Sequence, residues 1–126
     1  MPMKILAIDD SHTLRLFIKN TLEENFPEAT ILVARDGREG FVMAQKNQPD
    51  LILLDFLMPE MRGDEVCRAL LDQAETAKIP VILMSSSAAE IQATQEKCSN
   101  VLAKPFTDEH IDAVIDQYVR LQTVAA

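Results

Sequence analysis

The chain has 126 residues, of which 48% are hydrophobic and 25% are charged, and this balance is typical of one globular domain spanning 1–126. The formal net charge is −8 and the lysines and arginines form no cluster, which argues against binding to nucleic acid or to an anionic membrane surface. No apolar run has the length of a membrane span and the N-terminus lacks the layout of a signal peptide, so a cytoplasmic location is expected.

Short apolar segments alternate with helical patterns in the first half of the chain. Residues 3–8 predict a strand that ends in two aspartates, and the apolar residues of the next helix share one face: Leu14, Phe17, Ile18 and Leu22. Ser11 is placed to cap the start of this helix. The β-branched segment Thr30–Ala34 predicts a second strand. A turn at residues 36–37 then precedes a second helix that runs to Gln48.

The apolar segment at residues 51–54 is the clearest strand in the chain, and it leads directly into Asp55. Prolines at positions 49 and 59 bound it, and an uninterrupted apolar run of this kind predicts a strand buried on both faces. Asp55 would then lie at the carboxyl end of the strand, the edge at which open parallel sheets bind ligands. Taken alone, Asp55 is better explained as a loop residue that caps a neighbouring element, and only the rest of the chain overturns that interpretation.

The alternation continues beyond the third strand. A third helix is predicted to start at Gly63, and residues 80–84 predict a fourth strand that ends in Ser85. Residues 88–99 contain a single large apolar residue, Ile91, so they predict only a weak fourth helix.

The last strand and the last helix complete the pattern. Residues 100–103 predict a short fifth strand that leads into Lys104, and Thr107 is placed to cap a final helix. The apolar residues of this helix form a stripe: Ile111, Val114, Ile115, Tyr118 and Val119. Strands and helices therefore alternate five times, which predicts an α/β fold with a five-stranded parallel sheet and helices on both faces.

Five polar residues are expected at the carboxyl ends of these strands: Asp9, Asp10, Asp55, Ser85 and Lys104. Each alone has a simpler explanation as a helix cap or a surface charge, but together they would share one edge of one sheet. Three carboxylates brought close together repel one another unless a cation is present. Mg²⁺ prefers one or two carboxylates together with a phosphate. With a lysine and a hydroxyl for the remaining oxygens, the set suits phosphoryl transfer to a carboxylate.

With these motifs in this order, the chain resembles the receiver domain of two-component response regulators. The resemblance covers nearly the whole chain and rests on an ordered set of motifs: Asp9-Asp10-Ser11, Asp36-Gly37, Asp55 with Met58-Pro59 and Gly63, Pro80-Val81-Ile82 leading to Ser85, and Lys104-Pro105-Phe106. It implies a flavodoxin-like, doubly wound (βα)5 fold with strand order 2-1-3-4-5. A single-domain protein like the chemotaxis regulators is the form that we expect.

The resemblance implies a role for each carboxylate. Asp55 would be the phosphoacceptor, taking a phosphoryl group from a sensor histidine kinase or a phosphotransfer protein. Mg²⁺ would be bound by Asp10, by Asp55, by the backbone carbonyl of Leu57 and, mostly through water, by Asp9. The domain would catalyse only its own phosphorylation and dephosphorylation, so it is not expected to be an enzyme in the usual sense.

Ser85 and Lys104 would bind the oxygens of the phosphoryl group, and the Lys104-Pro105 peptide bond would be cis, as is usual in the family.

One residue departs from the family pattern. The family usually has Tyr or Phe three residues before the lysine, where this chain has Val101. Valine is too small and too stiff to act as a rotating reporter, so we expect the phosphorylation chemistry without the aromatic switch.

The output is expected to pass through the surface formed by residues 86–120 to a downstream protein. The segment between Ser85 and Lys104 is shorter than is common in the family, and its apolar pattern is sparse. We hypothesise that the fourth helix is mobile and becomes ordered on phosphorylation or on binding of a partner.

Several alternatives remain open. The chain could be the receiver part of a longer transcription factor, hybrid kinase or cyclic-dinucleotide enzyme, although Met1 favours a stand-alone protein. It could also be a degenerate receiver that acts by protein binding alone. A hydrolase that forms an aspartyl-phosphate would need a second acid near the nucleophile, and Leu57 cannot supply it. A flavin-binding domain is disfavoured because the aspartates after the first strand would repel a phosphate.

Overall fold

The computed structural model describes residues 3–94 and 100–125, and strands and helices alternate along them. The strands are β1 (Lys4–Ile8), β2 (Thr30–Ala34), β3 (Leu51–Asp55), β4 (Val81–Ser85) and β5 (Asn100–Ala103). The helices are α1 (His12–Asn25), α2 (Gly37–Asn47), α3 (Gly63–Leu71), α4 (Ala88–Thr94) and α5 (Asp108–Ala125). The predicted order of elements is confirmed. Within the described residues, none of the helices is both long and apolar enough to span a bilayer.

All neighbouring strands of the sheet run parallel, in the order β2-β1-β3-β4-β5. This is the predicted flavodoxin-like order. The register levels the carboxyl ends of the strands, because Ile8 pairs with Leu54, and Asp55 in turn pairs with Met84. Ser85 pairs with Ala103, the residue before Lys104. The predicted functional residues therefore lie at one edge of the sheet.

Two apolar layers enclose the sheet, because side chains alternate between its faces. Ile5 and Ala7 point to the layer that contains buried residues of α1 and α5, such as Ile18 and Ile111. On the opposite face a second layer joins strand residues to buried residues of α2 and α3: Leu6, Ile8, Ile52, Leu54, Ala44, Val66 and Leu70. Residues 51–54 are fully buried, as the uninterrupted apolar run predicted.

Side-chain caps mark the starts of α1, α2 and α5. The Ser11 hydroxyl accepts the N–H of Leu14 at 3.2 Å, and the Thr107 hydroxyl accepts the N–H of His110 at 3.2 Å, so both predicted caps are confirmed. Asp36 was predicted as part of a turn, but its carboxylate caps α2 by accepting the N–H of Glu39 at 2.8 Å. The second helix consequently begins directly after this aspartate.

The fourth strand differs slightly from its predicted bounds, and the fourth helix starts at its predicted residue. β4 excludes Pro80, which has no N–H to donate, and includes Ser85. α4 is described over Ala88–Thr94, and residues 95–99 of the predicted 88–99 segment lie outside the described residues. The hypothesis that this helix is mobile therefore stays a prediction.

Candidate functional site

The side chain of Lys104 joins the predicted residues across three strands of the sheet. Its Nζ lies 2.7 Å from Oδ1 of Asp55 and 4.0 Å from Oδ2 of Asp9. The Lys104 N–H donates to the carbonyl of Ser85 at 2.9 Å, which continues the pairing of β5 with β4 for one residue. The Lys104-Pro105 bond is cis, as predicted. The backbone of this segment thus places the ammonium group over the ends of β1 and β3.

Three carboxylates meet at the same point. Asp9, Asp10 and Asp55 each offer an oxygen atom, and these atoms lie within 4.8 Å of one another. Asp9 and Asp55 are buried, with exposed fractions of 1% and 4%, whereas Asp10 is exposed. The structure therefore brings together the carboxylate cluster that was predicted from the strand ends.

Hydrogen bonds hold Asp9 in place but leave one of its oxygens without a donor. Oδ1 accepts the N–H of Ser11 at 2.8 Å, and the Asp9 carbonyl accepts from Nη1 of Arg15 at 2.8 Å. Within the described part of the chain, the buried Oδ2 has no hydrogen-bond partner. A buried polar atom of this kind is costly unless another group satisfies it. Three carboxylates, one of which has an unsatisfied buried oxygen, form a donor set that fits a hard cation such as Mg²⁺.

Burial raises the pKa of Asp55 to about 6; the hydrogen bond from Lys104 opposes this rise, and the negative charge of Asp9 adds to it. The pKa of Asp9 is also raised, mainly by burial, although the hydrogen bond from Ser11 and the charge of Lys104 lower it. A pKa near 6 still leaves the Asp55 carboxylate mostly ionised at neutral pH. Asp55 can therefore act as a nucleophile there.

Ser85 reaches the same edge, but its hydroxyl is bonded to a residue that the sequence patterns did not indicate. Ser85 is buried, and its Oγ lies 2.5 Å from Oε1 of Glu90 in the first turn of α4. Glu90 was missed because an acid in the first turn of a helix is common. No spacing in the sequence marks it as the partner of Ser85. Arg15 was missed for a similar reason, since it falls within the polar pattern of α1.

Two predicted positions lie in the expected segments. Leu57 follows β3 by two residues, and its side chain is 60% exposed. Val101 lies in β5, is partly buried and pairs with Leu83 of β4. An aliphatic side chain in the strand therefore occupies the position where the family usually has an aromatic ring.

The segment after Asp55 is held close to its strand by a glycine. The Gly63 N–H donates to the Phe56 carbonyl at 2.8 Å. A β-carbon at position 63 would lie 2.8 Å from both the Asp55 carbonyl oxygen and the Phe56 α-carbon. Only glycine permits this approach, so Gly63 positions the start of α3 directly against the end of β3.

Comparisons with known proteins agree with this geometry. Residues 5–116 match the family model described as the response regulator receiver domain. The chain is 33% identical over 127 residues to response regulator PleD of Caulobacter vibrioides, covering 98% of this chain and 28% of that protein. It is 36% identical over 105 residues to histidine kinase P4 of Formosa agariphila, covering 81% of this chain and 7% of that protein.

Solved structures show the same relationship. The chemotaxis protein CheY4 of Vibrio cholerae superposes with a TM-score of 0.85 at 29% identity, covering 94% of this chain and 99% of that one. This chain thus spans nearly the whole of that solved chain but only a small part of the two curated relatives. The sheet order, the carboxylate cluster and the family match lead to one conclusion: the chain belongs to the response regulator receiver domain family.

Proposed function

We propose that this receiver domain accepts a phosphoryl group on Asp55 from a sensor histidine kinase or a phosphotransfer protein. The observation that supports this most strongly is the pairing of the buried Asp55 carboxylate with Lys104 at 2.7 Å, beside two further aspartates. In the transfer, an Asp55 oxygen attacks phosphorus as the bond from phosphorus to the donor's imidazole nitrogen breaks. The imidazole keeps the bonding electron pair and then takes up a proton.

Mg²⁺ is the cofactor of this proposal. Receiver domains bind Mg²⁺ in their acidic site, and the cluster of Asp9, Asp10 and Asp55 fits it, because a cation would satisfy the buried Asp9 oxygen. We assign Asp10 and Asp55 as direct ligands, Asp9 as a ligand mostly through water, and the Leu57 carbonyl as the remaining protein ligand. When bound, the cation neutralises charge on the phosphoryl oxygens.

Lys104 and Ser85 are proposed to bind the phosphoryl group once it is attached. The Lys104 ammonium group is already within hydrogen-bond distance of Asp55, so it needs little movement to reach a phosphoryl oxygen. Ser85 would have to redirect its hydroxyl. The resulting change is proposed to reach a downstream protein through residues 86–120. We also propose that the domain chemically modifies only itself, because the exposed Leu57 supplies no second acid. The cytoplasm is the proposed location.

The experiment that tests this proposal is incorporation of a phosphoryl group from acetyl phosphate with Mg²⁺, read by intact mass. One group on the parent and none on Asp55→Asn is the expected result. Asp72→Asn is a matched control, because Asp72 is an exposed carboxylate that follows α3, away from the cluster. Incorporation into Asp55→Asn would refute the assignment. Binding of Mg²⁺ by the parent without incorporation from any donor would mean a receiver that acts by protein binding alone.

A further inference from the structure

The buried hydroxyl of Ser85 is committed to a carboxylate on α4. The 2.5 Å separation between Ser85 Oγ and Glu90 Oε1 is typical of a short hydrogen bond from a hydroxyl to a carboxylate oxygen. A second acceptor, the Ser87 carbonyl, lies farther away at 3.3 Å. A serine hydroxyl carries one proton. Ser85 therefore cannot donate to Glu90 and to a group on Asp55 at the same time.

The position of Glu90 connects the end of the sheet to a helix of the proposed output surface. Ser85 is the last residue of β4, next to the strand that ends in Asp55. Glu90 lies in the first turn of α4, where its N–H donates to the Ser87 hydroxyl at 3.4 Å. The Ser87 N–H in turn donates to Ser85 Oγ at 3.2 Å. Any reorientation of the Ser85 hydroxyl must therefore disturb contacts within the first turn of α4.

We infer that Glu90 is a positioning residue that holds the Ser85 hydroxyl away from Asp55 until a phosphoryl group competes for it. This inference rests on the proposed function of Asp55. On phosphorylation, the Ser85 hydroxyl stops donating its hydrogen bond to Glu90 Oε1 and donates it to a phosphoryl oxygen. The Glu90 carboxylate then loses this donor and faces additional negative charge, which displaces the first turn of α4. This exchange supplies a route to the output surface that needs no aromatic ring at Val101.

The exchange predicts a gain in affinity when Glu90 is removed. The bond from Ser85 to Glu90 exists only before phosphorylation, so it stabilises that state alone, and its loss must favour the phosphorylated state. With beryllofluoride and Mg²⁺ as a mimic of the phosphoryl group, we expect Glu90→Ala to bind about tenfold more tightly, which equals about 1.4 kcal/mol. Glu90→Gln keeps a weaker acceptor and should gain less. Glu60→Gln removes one charge from the loop after β3 and should leave the affinity within about twofold.

A double-mutant cycle separates this role from a general effect of charge or of helix stability. On the Ser85→Ala background there is no hydroxyl to hold, so Glu90→Ala should change beryllofluoride affinity by less than about twofold. An equal gain on both backgrounds would show that Glu90 does not act through Ser85. Unchanged or weaker binding by both Glu90→Ala and Glu90→Gln on the Ser85 background would also overturn the inference.

The amide resonance of Ser87 gives a spectroscopic readout, because its N–H donates to the Ser85 hydroxyl oxygen. In free Glu90→Ala it should already be displaced toward the position that beryllofluoride produces in the parent. An unmoved resonance would contradict the exchange. Failure of the parent itself to bind beryllofluoride and to take up a phosphoryl group would overturn the proposed function together with this inference. Binding by the parent without coupling to Glu90 would overturn the inference alone.

Discussion

At the level of single residues, the site is a balance between two buried carboxylates and one cation. Lys104 lies 2.7 Å from Asp55 and 4.0 Å from Asp9, and both aspartates are almost fully buried. Burying an ion is unfavourable unless a partner compensates it. The raised pKa values of both aspartates indicate that Lys104 compensates their burial only in part. A further positive charge at this site would therefore stabilise the ionised carboxylates.

The first prediction concerns the loss of this lysine. Lys104→Ala should lower the free energy of unfolding at pH 7 by about 1–3 kcal/mol, because it leaves two buried carboxylates without a cation. The loss should shrink toward pH 4, because the pKa of Asp55 is raised to about 6 and its carboxylate is protonated there. Urea unfolding at both pH values without divalent cations would measure it. Arg120→Ala, which breaks an exposed ion pair with Asp116, is the control and should cost little at either pH.

The sequence predicted the charged members of the site better than their hydrogen bonds. Asp9, Asp55 and Lys104 follow apolar strands, and parallel strands bring their carboxyl ends to one edge, so their proximity follows from the strand pattern alone. The partner of Ser85 could not be predicted in the same way. It depends on where α4 starts and on the rotamer that Glu90 adopts, and neither leaves a periodic trace in the sequence.

At the level of elements, the short connections that follow the strands position the residues of the site, and the sheet holds these connections at one edge. β3 and α3 are joined by a segment that returns to the strand it left, with Gly63 against the backbone of Asp55 and Phe56. In the same segment the Arg62 guanidinium lies 5.9 Å from the centre of the Phe56 ring. A change in this connection should therefore move Asp55, the proposed phosphoacceptor, together with the end of its strand.

The second prediction tests that connection. Gly63→Ala places a β-carbon against backbone atoms that cannot move independently of Asp55, so we expect a loss of stability of about 1–3 kcal/mol. We also expect weaker Mg²⁺ binding, since Asp55 is a proposed ligand. Thermal unfolding and calorimetric titration would measure the two effects. Lost stability with unchanged Mg²⁺ affinity would show that the carboxylate cluster is insulated from this connection.

Element types could be predicted from the sequence more completely than element ends. The buried strands were evident from apolar runs, and β3 matches its prediction because both of its faces are covered. Asp36 was interpreted as a turn residue and not as the cap of α2, because aspartate favours turns and helix caps equally well. The fourth helix was weakly predicted because residues 88–99 contain a single large apolar residue, Ile91, so no apolar stripe marks the helix.

For the whole molecule, the cluster makes stability depend on pH in an unusual direction. The pKa of Asp55 rises on folding from 3.8 to about 6, so the folded chain binds more protons than the unfolded chain in this range. The contribution of Asp55 to stability is therefore fully present below its unfolded pKa of 3.8 and is lost as the pH rises through its folded pKa of about 6. The proposed phosphoryl transfer needs the ionised carboxylate of Asp55, so the ionisation state required for it is the one in which the folded chain is less stable.

The third prediction isolates this contribution. Relative to the parent, Asp55→Asn should gain about 1–3 kcal/mol of stability between pH 4 and pH 7 in the absence of divalent cations. Chemical unfolding of both proteins across this range would measure the difference. The Asp72→Asn variant controls for removal of an exposed carboxylate and should follow the parent. A constant difference between the parent and Asp55→Asn would mean that the carboxyl group of Asp55 is not perturbed by folding.

The fourth prediction is that Mg²⁺ stabilises the folded chain when the carboxylates of the cluster are ionised. A cation that binds only the folded chain, at one hundred times its dissociation constant, adds about 2.7 kcal/mol of stability. The gain should be larger at pH 7.5 than at pH 5, because protons compete for Asp9 and Asp55, whose pKa values are raised. Thermal unfolding with and without Mg²⁺ would show it. Asp10→Asn should lose most of the gain, whereas Asp72→Asn should keep it. Equal stabilisation of the parent and Asp10→Asn would place the cation elsewhere on this acidic chain.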